Sequence, residues 1–212
     1  LLKYVNGTLG KAITLHTDSL NIHVWADASF MTHADRKGQT GVAVTLGENG
    51  PCIAPKSSKA KIITLSSTES ESLAAFEATP LLQQTAELMK AFREPSIPVL
   101  HQDNQSAITM AESGGGTSKH TKHFDLRLKY LQQMITDNAM HIEFTPTEKM
   151  KADVFTKNIT GKKFNSYMEA LMCKKHEVKR EEKSALLAYF FKLSMPTLRG
   201  RARKTHKISG AL

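Results

Sequence analysis

The sequence predicts an α/β fold: a five-stranded mixed sheet in the order 3-2-1-4-5, flanked by helices, with a basic extension at the C-terminal end. Three observations carry that prediction. Three short runs of strand-like alternation precede one long run of helical period, and from Val99 onward short strands alternate with helices. The length of 212 residues suits one domain with a real core and an appendage, and falls short of two full domains. The charge is also divided unevenly: residues 172–212 hold 11 of the 29 Lys and Arg but three of the 20 Asp and Glu, leaving residues 1–171 at a net of +1. A near-neutral fold with a basic arm points to an anchor attached to a domain that does another job.

Residues 1–15 start with Leu1, Leu2, Tyr4 and Val5 at helical spacing and then meet Gly7 and Gly10, which predicts a short helix ending in a turn. Asn21 to Ser29, with Ile22, Val24 and Trp25 around Asp27, reads as the first strand. Residues 31–40 form a polar loop, and Gly41 to Leu46 alternates as a second strand with Val42 and Val44 on one face. After a turn at Gly47 to Gly50, Pro51 to Lys56 completes an antiparallel meander. The longest helical pattern runs from Ser66 to about Phe92, capped by Ser66 or Ser67, and Pro80 is expected to kink or split it. Val99 to Gln102 is a short strand, Asn104 to Ser113 a short helix, and Gly114 to Gly116 a hinge. A helix over Thr121 to Asp137 follows, then a strand over Met140 to Thr145, and a helix from Glu148 to Leu171 with a break near Gly161.

These elements assemble in one consistent way. If strand 1 runs up, the meander sends strand 2 down and strand 3 up, so the long helix begins at the top edge and descends. Its crossover is right-handed, which sets strand 4 rising beside strand 1. The chain leaves those two neighbouring strands in opposite directions, the switch point where open α/β sheets place ligands.

Four acids are expected to converge on that edge. They are Asp27 in V-W-A-D-A-S, Glu69 in L-S-S-T-E-S-E at the start of the long helix, Asp103 in H-Q-D-N-Q-S-A and Asp153 in K-A-D-V-F-T-K. Each alone has an ordinary reading: a first-turn acid favoured by the helix dipole, a helix cap, a solvated helix residue. Together they would repel one another unless compensated, which makes the cluster a poor structural device. Two Mg²⁺ ions, with Mn²⁺ as a substitute, would neutralise them. Two such ions roughly 3.5–4 Å apart stabilise both the attacking and the leaving oxygen of a phosphodiester. Hydrolysis of a nucleic-acid backbone is the chemistry such a pocket suits.

Composition narrows the setting. Cys52 and Cys173 lie far apart and offer neither a disulfide framework nor a metal-finger spacing, which fits a reducing, intracellular environment. No apolar run approaches the roughly 20 residues that span a bilayer, so no membrane partner is expected. The first residue is Leu, which is expected of a piece of a longer protein.

The segments L-S-S-T-E-S-E, Q-D-N-Q-S-A-I, K-H-T-K-H-F-D-L-R, F-T-P-T-E and K-A-D-V-F-T-K resemble, in order and spacing from Leu2 to Leu171, the RNase H region of copia-type LTR retrotransposon Pol polyproteins. L-L-K-Y-V-N-G-T resembles the segment that joins their reverse transcriptase to that domain. The resemblance implies an RNase H-like fold and three parts: a connector at 1–20, an RNase H-like domain at 21–171, and a basic tail at 172–212. It implies a metal-dependent endoribonuclease that cuts the RNA strand of RNA/DNA hybrids through Asp27, Glu69, Asp103 and Asp153. The chain departs from the family pattern at Ser29 and Phe30, where an acid and Trp are usual, at Ser72, where Tyr is frequent, and at Gln102, where a small residue or Cys is common. Residues 172–212 have no counterpart in the family pattern.

Asn104, Gln105 and Ser106 follow Asp103 at a helix start, where they could read a ribose 2′-hydroxyl or simply cap the helix. Arg36 and Lys37 lie in the loop after strand 1 and are candidates for a phosphate contact or for solvated loop charges. Lys119, Lys122 and His123, with His120 and Arg127, suggest a basic handle for the DNA strand. In the tail, Glu181 to Leu193 reads as an apolar docking helix. Beyond it, Arg199, Arg201, Arg203, Lys204 and Lys207 form an arm for nucleic-acid contact or nuclear import, or a solvated terminus. The expected partners are an RNA/DNA hybrid or structured RNA, and a reverse transcriptase domain or a larger ribonucleoprotein, in a cytoplasmic particle or the nucleus. The rival reading is a domesticated module of the same fold that serves as a non-catalytic RNA-binding or scaffold subunit.

Overall fold

The computed structural model describes residues 15, 17, 19–115 and 122–172, the side chains of Lys122 and His123 excepted. The short helix expected at residues 1–15, most of the glycine hinge and the whole basic tail therefore lie outside the described residues.

Five strands form one sheet in the order β3-β2-β1-β4-β5: β1 Ile22–Ser29, β2 Gln39–Leu46, β3 Cys52–Lys59, β4 Val99–Gln102 and β5 His141–Phe144. The first three pair antiparallel, while β4 runs parallel to β1 and β5 parallel to β4. The predicted order and directions hold. Strands β2 and β3 are longer than expected because Gln39 pairs with both Ser29 and Lys59, which carries the ladder into the loop.

The central strand β1 is covered on both faces. By the two-residue period of a strand, Val24, Ala26 and Ala28 face one way, into a core shared with Ala74, Ala78 and Leu82 of helix α1, Ser67–Ala91. Trp25 faces the other way, into a second cluster with Ala43, Met150, Ala152 and Leu171. Asp27 lies two residues beyond Trp25 and shares its face. Beneath it stands a ring stack: the Trp25 and His101 rings lie 4.0 Å apart, and His23 Nδ1 meets His101 Nε2 at 2.8 Å. Burial first, then the charges of His23 and Lys151, pushes His101 down to about 3, so the His101 ring is neutral.

Helix α1 continues through Pro80, so of the expected kink or split the split does not occur. Proline leaves the carbonyl four residues back without its amide partner. Here the Thr79 hydroxyl donates to that carbonyl, on Phe76, at 2.8 Å, and Pro80 itself is exposed. Helices α2, Gln105–Ser113, and α3, Lys122–Thr136, follow β4. The predicted helix over 148–171 is instead two 3₁₀ turns, Thr147–Lys149 and Lys151–Phe155, and a separate helix α4, Gly161–Met172. The second turn folds over the sheet because Met150, Ala152 and Asp153 are all buried against it.

Candidate metal centre

Asp27 comes from the centre of the sheet, near the end of β1, and is 1% exposed. Glu71 comes from the second turn of α1, where its Oε2 accepts a hydrogen bond of 3.1 Å from the Ala28 amide. Asp103 follows the end of β4. Its amide and that of Asn104 donate to Gln102 Oε1 at 2.8 and 3.1 Å, and Gln102 Nε2 donates to the Glu71 carbonyl at 3.4 Å. The fully buried Gln102 thus ties the end of β4 to α1. One carboxylate oxygen from each of Asp27, Glu71 and Asp103 lies within 4.8 Å of the others.

Glu69, the expected fourth acid, lies outside this group. It completes the helix start: Ser66 Oγ accepts from the Glu69 amide at 3.1 Å, and Glu69 Oε2 accepts from the Leu65 amide at 2.6 Å. That is the reciprocal arrangement of a capping box, shifted by one residue. A residue two positions on is turned by about 200° around a helix, which sends Glu71 to the sheet and Glu69 away. The sequence carried a signal for this. Glu71 shares its face with Ala74, Ala75, Ala78 and Leu82, all within 2% of full burial. Small alanines mark where a helix sits closest to a sheet, whereas the larger Phe76 packs edge-on to Tyr130 of α3.

Asp153 is fully buried and sits in the second 3₁₀ turn, not in a helix. It meets Asp27 through Lys157, whose Nζ lies 2.7 Å from Asp153 Oδ1 and 3.3 Å from Asp27 Oδ1. Tyr167 of α4 donates to Asp153 Oδ2 at 3.0 Å, the Thr156 hydroxyl donates to Asp27 Oδ2, and the Thr147 hydroxyl donates to Asp103 Oδ2 at 2.8 Å. Glu71, Lys157, Thr147, Thr156, Gln102 and Tyr167 are therefore site residues that sequence reasoning missed.

The electrostatics record a cluster short of positive charge. Burial, with Asp153 and Asp103 adding and Thr156 and Lys157 opposing, holds the Asp27 carboxyl up at about 6. Burial first, then the charges of Asp27 and Asp103, raises Glu71 to about 9. Burial alone would lower the Lys157 ammonium, but the hydrogen bond to Asp153 and the charge of Asp27 outweigh it and raise the group. Three hard oxygen donors close together, two of them with carboxyls raised by burial and by neighbouring acids, fit a divalent cation that prefers oxygen ligands.

Asn104 is the cap of α2, its Oδ1 accepting from the Ala107 amide at 3.1 Å, and Gln105 and Ser106 are exposed beside it. Arg36 is exposed in the β1–β2 loop, and the Lys37 carbonyl accepts from the His33 amide within the same loop. Lys119, the side chains of Lys122 and His123, and the tail residues Arg199, Arg201, Arg203, Lys204 and Lys207 lie outside the described residues. A cavity of about 730 Å³ adjoins the acids and shares Thr147 and Tyr167 with them. It is lined by Lys149, Lys151, Lys162 and Lys163.

No protein-family model matches the chain. Over 140 residues the chain is 31% identical to the Transposon Ty1-NL2 and Ty1-DR6 Gag-Pol polyproteins of Saccharomyces cerevisiae. Those matches cover 66% of this chain and 8% of each polyprotein. Among solved structures, similarity is found to the RNase H1 called LC11, isolated from compost, in complex with an RNA/DNA hybrid (TM-score 0.48, 16% identity, 64% of this chain and 94% of that one). It is also found to the N-terminal RNase H domain of a Mycobacterium tuberculosis protein (TM-score 0.46, 16% identity, 72% and 96%). Among the described residues, no helix is long and apolar enough to cross a membrane.

Proposed function

Because this chain belongs to the copia-type retrotransposon Pol polyproteins, as the part with their RNase H-like fold, we propose that it is a metal-dependent endoribonuclease that hydrolyses the RNA strand of RNA/DNA hybrids. The observation that carries this reading is the convergence of Asp27, Glu71 and Asp103, from two strand ends and a helix start, within 4.8 Å at the switch point of the sheet. Asp153 stands beside them across Lys157. Two Mg²⁺ ions, or Mn²⁺ in their place, supply when bound an activated water and charge stabilisation at the phosphodiester.

The chain's own residues do the rest. Asp27, Glu71 and Asp103 offer hard oxygens from rigid elements, so little reorganisation accompanies binding. Gln102 fixes Asp103 against α1, and Thr147 and Thr156 orient the acids they touch. Gln105 and Ser106 stand at the α2 start, in reach of a ribose 2′-hydroxyl near Asp103, the group that separates RNA from DNA. The lysine-lined cavity, with Arg36 and Lys37 on the loop after β1, gives the backbone of a hybrid positive surfaces to lie against. Within a polyprotein, a reverse transcriptase domain would deliver the hybrid, in a cytoplasmic particle or the nucleus.

The test is cleavage of a labelled RNA/DNA hybrid with and without Mg²⁺. Cutting of the RNA strand that needs the ion, and that is lost in Asp103→Asn, supports the reading. Tight, salt-sensitive RNA binding without any cutting by the parent chain would instead favour the scaffold role.

A further inference from the structure

Lys157 places its ammonium between two buried acids of the site. Its Nζ lies 3.3 Å from Asp27 Oδ1 and 2.7 Å from Asp153 Oδ1, while its own side chain remains 38% exposed. The second oxygen of each acid is engaged as well, by the Thr156 hydroxyl on Asp27 and by the Tyr167 hydroxyl on Asp153. The opposite side of the site is different. There Glu71 accepts from the Ala28 amide and Asp103 from the Thr147 hydroxyl, both neutral donors.

Among the described residues, one side of the acid cluster is thus paired directly with a cation of the chain, while these hydrogen bonds to the other side come from neutral donors. An ammonium and a divalent ion cannot share the same two carboxylate oxygens, because both would have to sit between them and they repel at that range. We propose that Lys157 is a positioning residue that occupies the Asp27–Asp153 side of the site, so that the free protein takes one divalent ion, on Asp27, Glu71 and Asp103. A second ion enters between Asp27 and Asp153 only when Lys157 swings out. The inference rests on the metal-dependent reading above and adds the order in which the site fills.

The side chain is suited to the part. Lysine carries a compact charge on a flexible four-carbon stem, and this one already reaches solvent. Leaving two buried acids uncompensated is costly, so release waits for a replacing charge. A substrate strand would supply the conditions for exchange, because its phosphates would give the displaced ammonium a new partner. Lys157 then makes full metal loading depend on nucleic acid being present.

Mn²⁺ titration of the full chain, read by electron paramagnetic resonance of free Mn²⁺ and by calorimetry, tests this without any turnover. The parent protein is expected to bind one ion, abolished in Asp27→Asn. Lys157→Met should bind two, and Lys157→Met combined with Asp153→Asn should return to one. Lys157→Arg, which keeps the charge, should stay at one. If Lys157→Met does not fold, Lys157→Gln, uncharged but still a hydrogen-bond donor, is read in the same way. Two ions of similar affinity in the parent protein, or one ion in a folded Lys157→Met, overturns the proposal while leaving the metal-dependent reading intact. No Mn²⁺ binding by parent or variants overturns both.

Discussion

Glu69 and Glu71 are separated by one residue and have different physical tasks. Glu69 accepts the Leu65 amide and completes the start of α1, whereas Glu71 is buried beside Asp27 and Asp103. Replacing Glu71 with Gln removes one anionic ligand and is expected to weaken Mn²⁺ binding by at least the roughly 10- to 100-fold seen when the supports of metal ligands are lost. Glu69→Gln should leave Mn²⁺ affinity unchanged and cost about 0.5–1 kcal/mol of stability through the weakened helix start. A metal titration and a thermal melt of the two variants separate these outcomes. Equal loss of metal binding in both would show that the site is not the one drawn from Asp27, Glu71 and Asp103.

At the level of elements, the site depends on how closely the 3₁₀ turn at Lys151–Phe155 approaches the sheet. Gly41 of β2 is paired directly opposite Asp27. A Cβ there would lie 2.7 Å from Thr156 Cγ2, 2.9 Å from Phe155 Cβ and 3.0 Å from the Ala152 carbonyl. The missing side chain is what lets the turn settle on β2 and bring Asp153, Thr156 and Lys157 over Asp27. Gly41→Ala is expected to lift that turn, at about 1–3 kcal/mol of stability, and to reduce divalent-ion affinity along with it. Unchanged melting and unchanged Mn²⁺ binding in the variant would remove this account. The order and direction of the strands were readable from period and spacing, and so was the helix start at Ser66. The irregular turn was not: K-A-D-V-F-T-K has helical spacing, and only the burial of Met150, Ala152 and Asp153 against the sheet breaks it into 3₁₀ turns. Likewise Pro80 signalled a kinked or split helix, and the Thr79 hydroxyl that satisfies the freed carbonyl on Phe76 is a side-chain contact within the same helix that hydrophobic period does not report.

For the whole molecule, the acid cluster couples stability to pH. The Glu71 carboxyl is raised to about 9 in the fold, so between pH 7 and 9 the native state keeps a proton that the unfolded chain has lost. A raised carboxyl contributes stability that is complete below its unfolded value and disappears as pH climbs through its folded value. Metal-free protein should therefore lose up to about 1.4 kcal/mol per pH unit in this window. For a domain of this size that is a fall in Tm of roughly 2–4 °C for each kcal/mol. Burial also raises the Cys52 thiol, which acts in the same direction near the top of the window. Below about pH 6.5 the lowered His101 works the opposite way, since the unfolded chain gains a proton there that the native ring refuses, so the window above 7 leaves that ring out. Adding Mg²⁺ should flatten or reverse the slope, because the ion binds the deprotonated acids. A metal-free Tm that stays level or rises from pH 7 to 9 would contradict this.

By itself the sequence determined the strand order, the strand directions, and the edge on which Asp27 and Asp103 meet, because hydrophobic period and short connections are local or nearly local properties of the chain. Only the tertiary structure decided which glutamate joins them and what holds Asp153. Those depend on which helix face lies closest to the sheet, on the space left by Gly41, and on a lysine whose two partners stand 130 and four residues away. Contacts between distant segments arise from packing, and the alanine face of α1 is the one trace of them that a single segment carries.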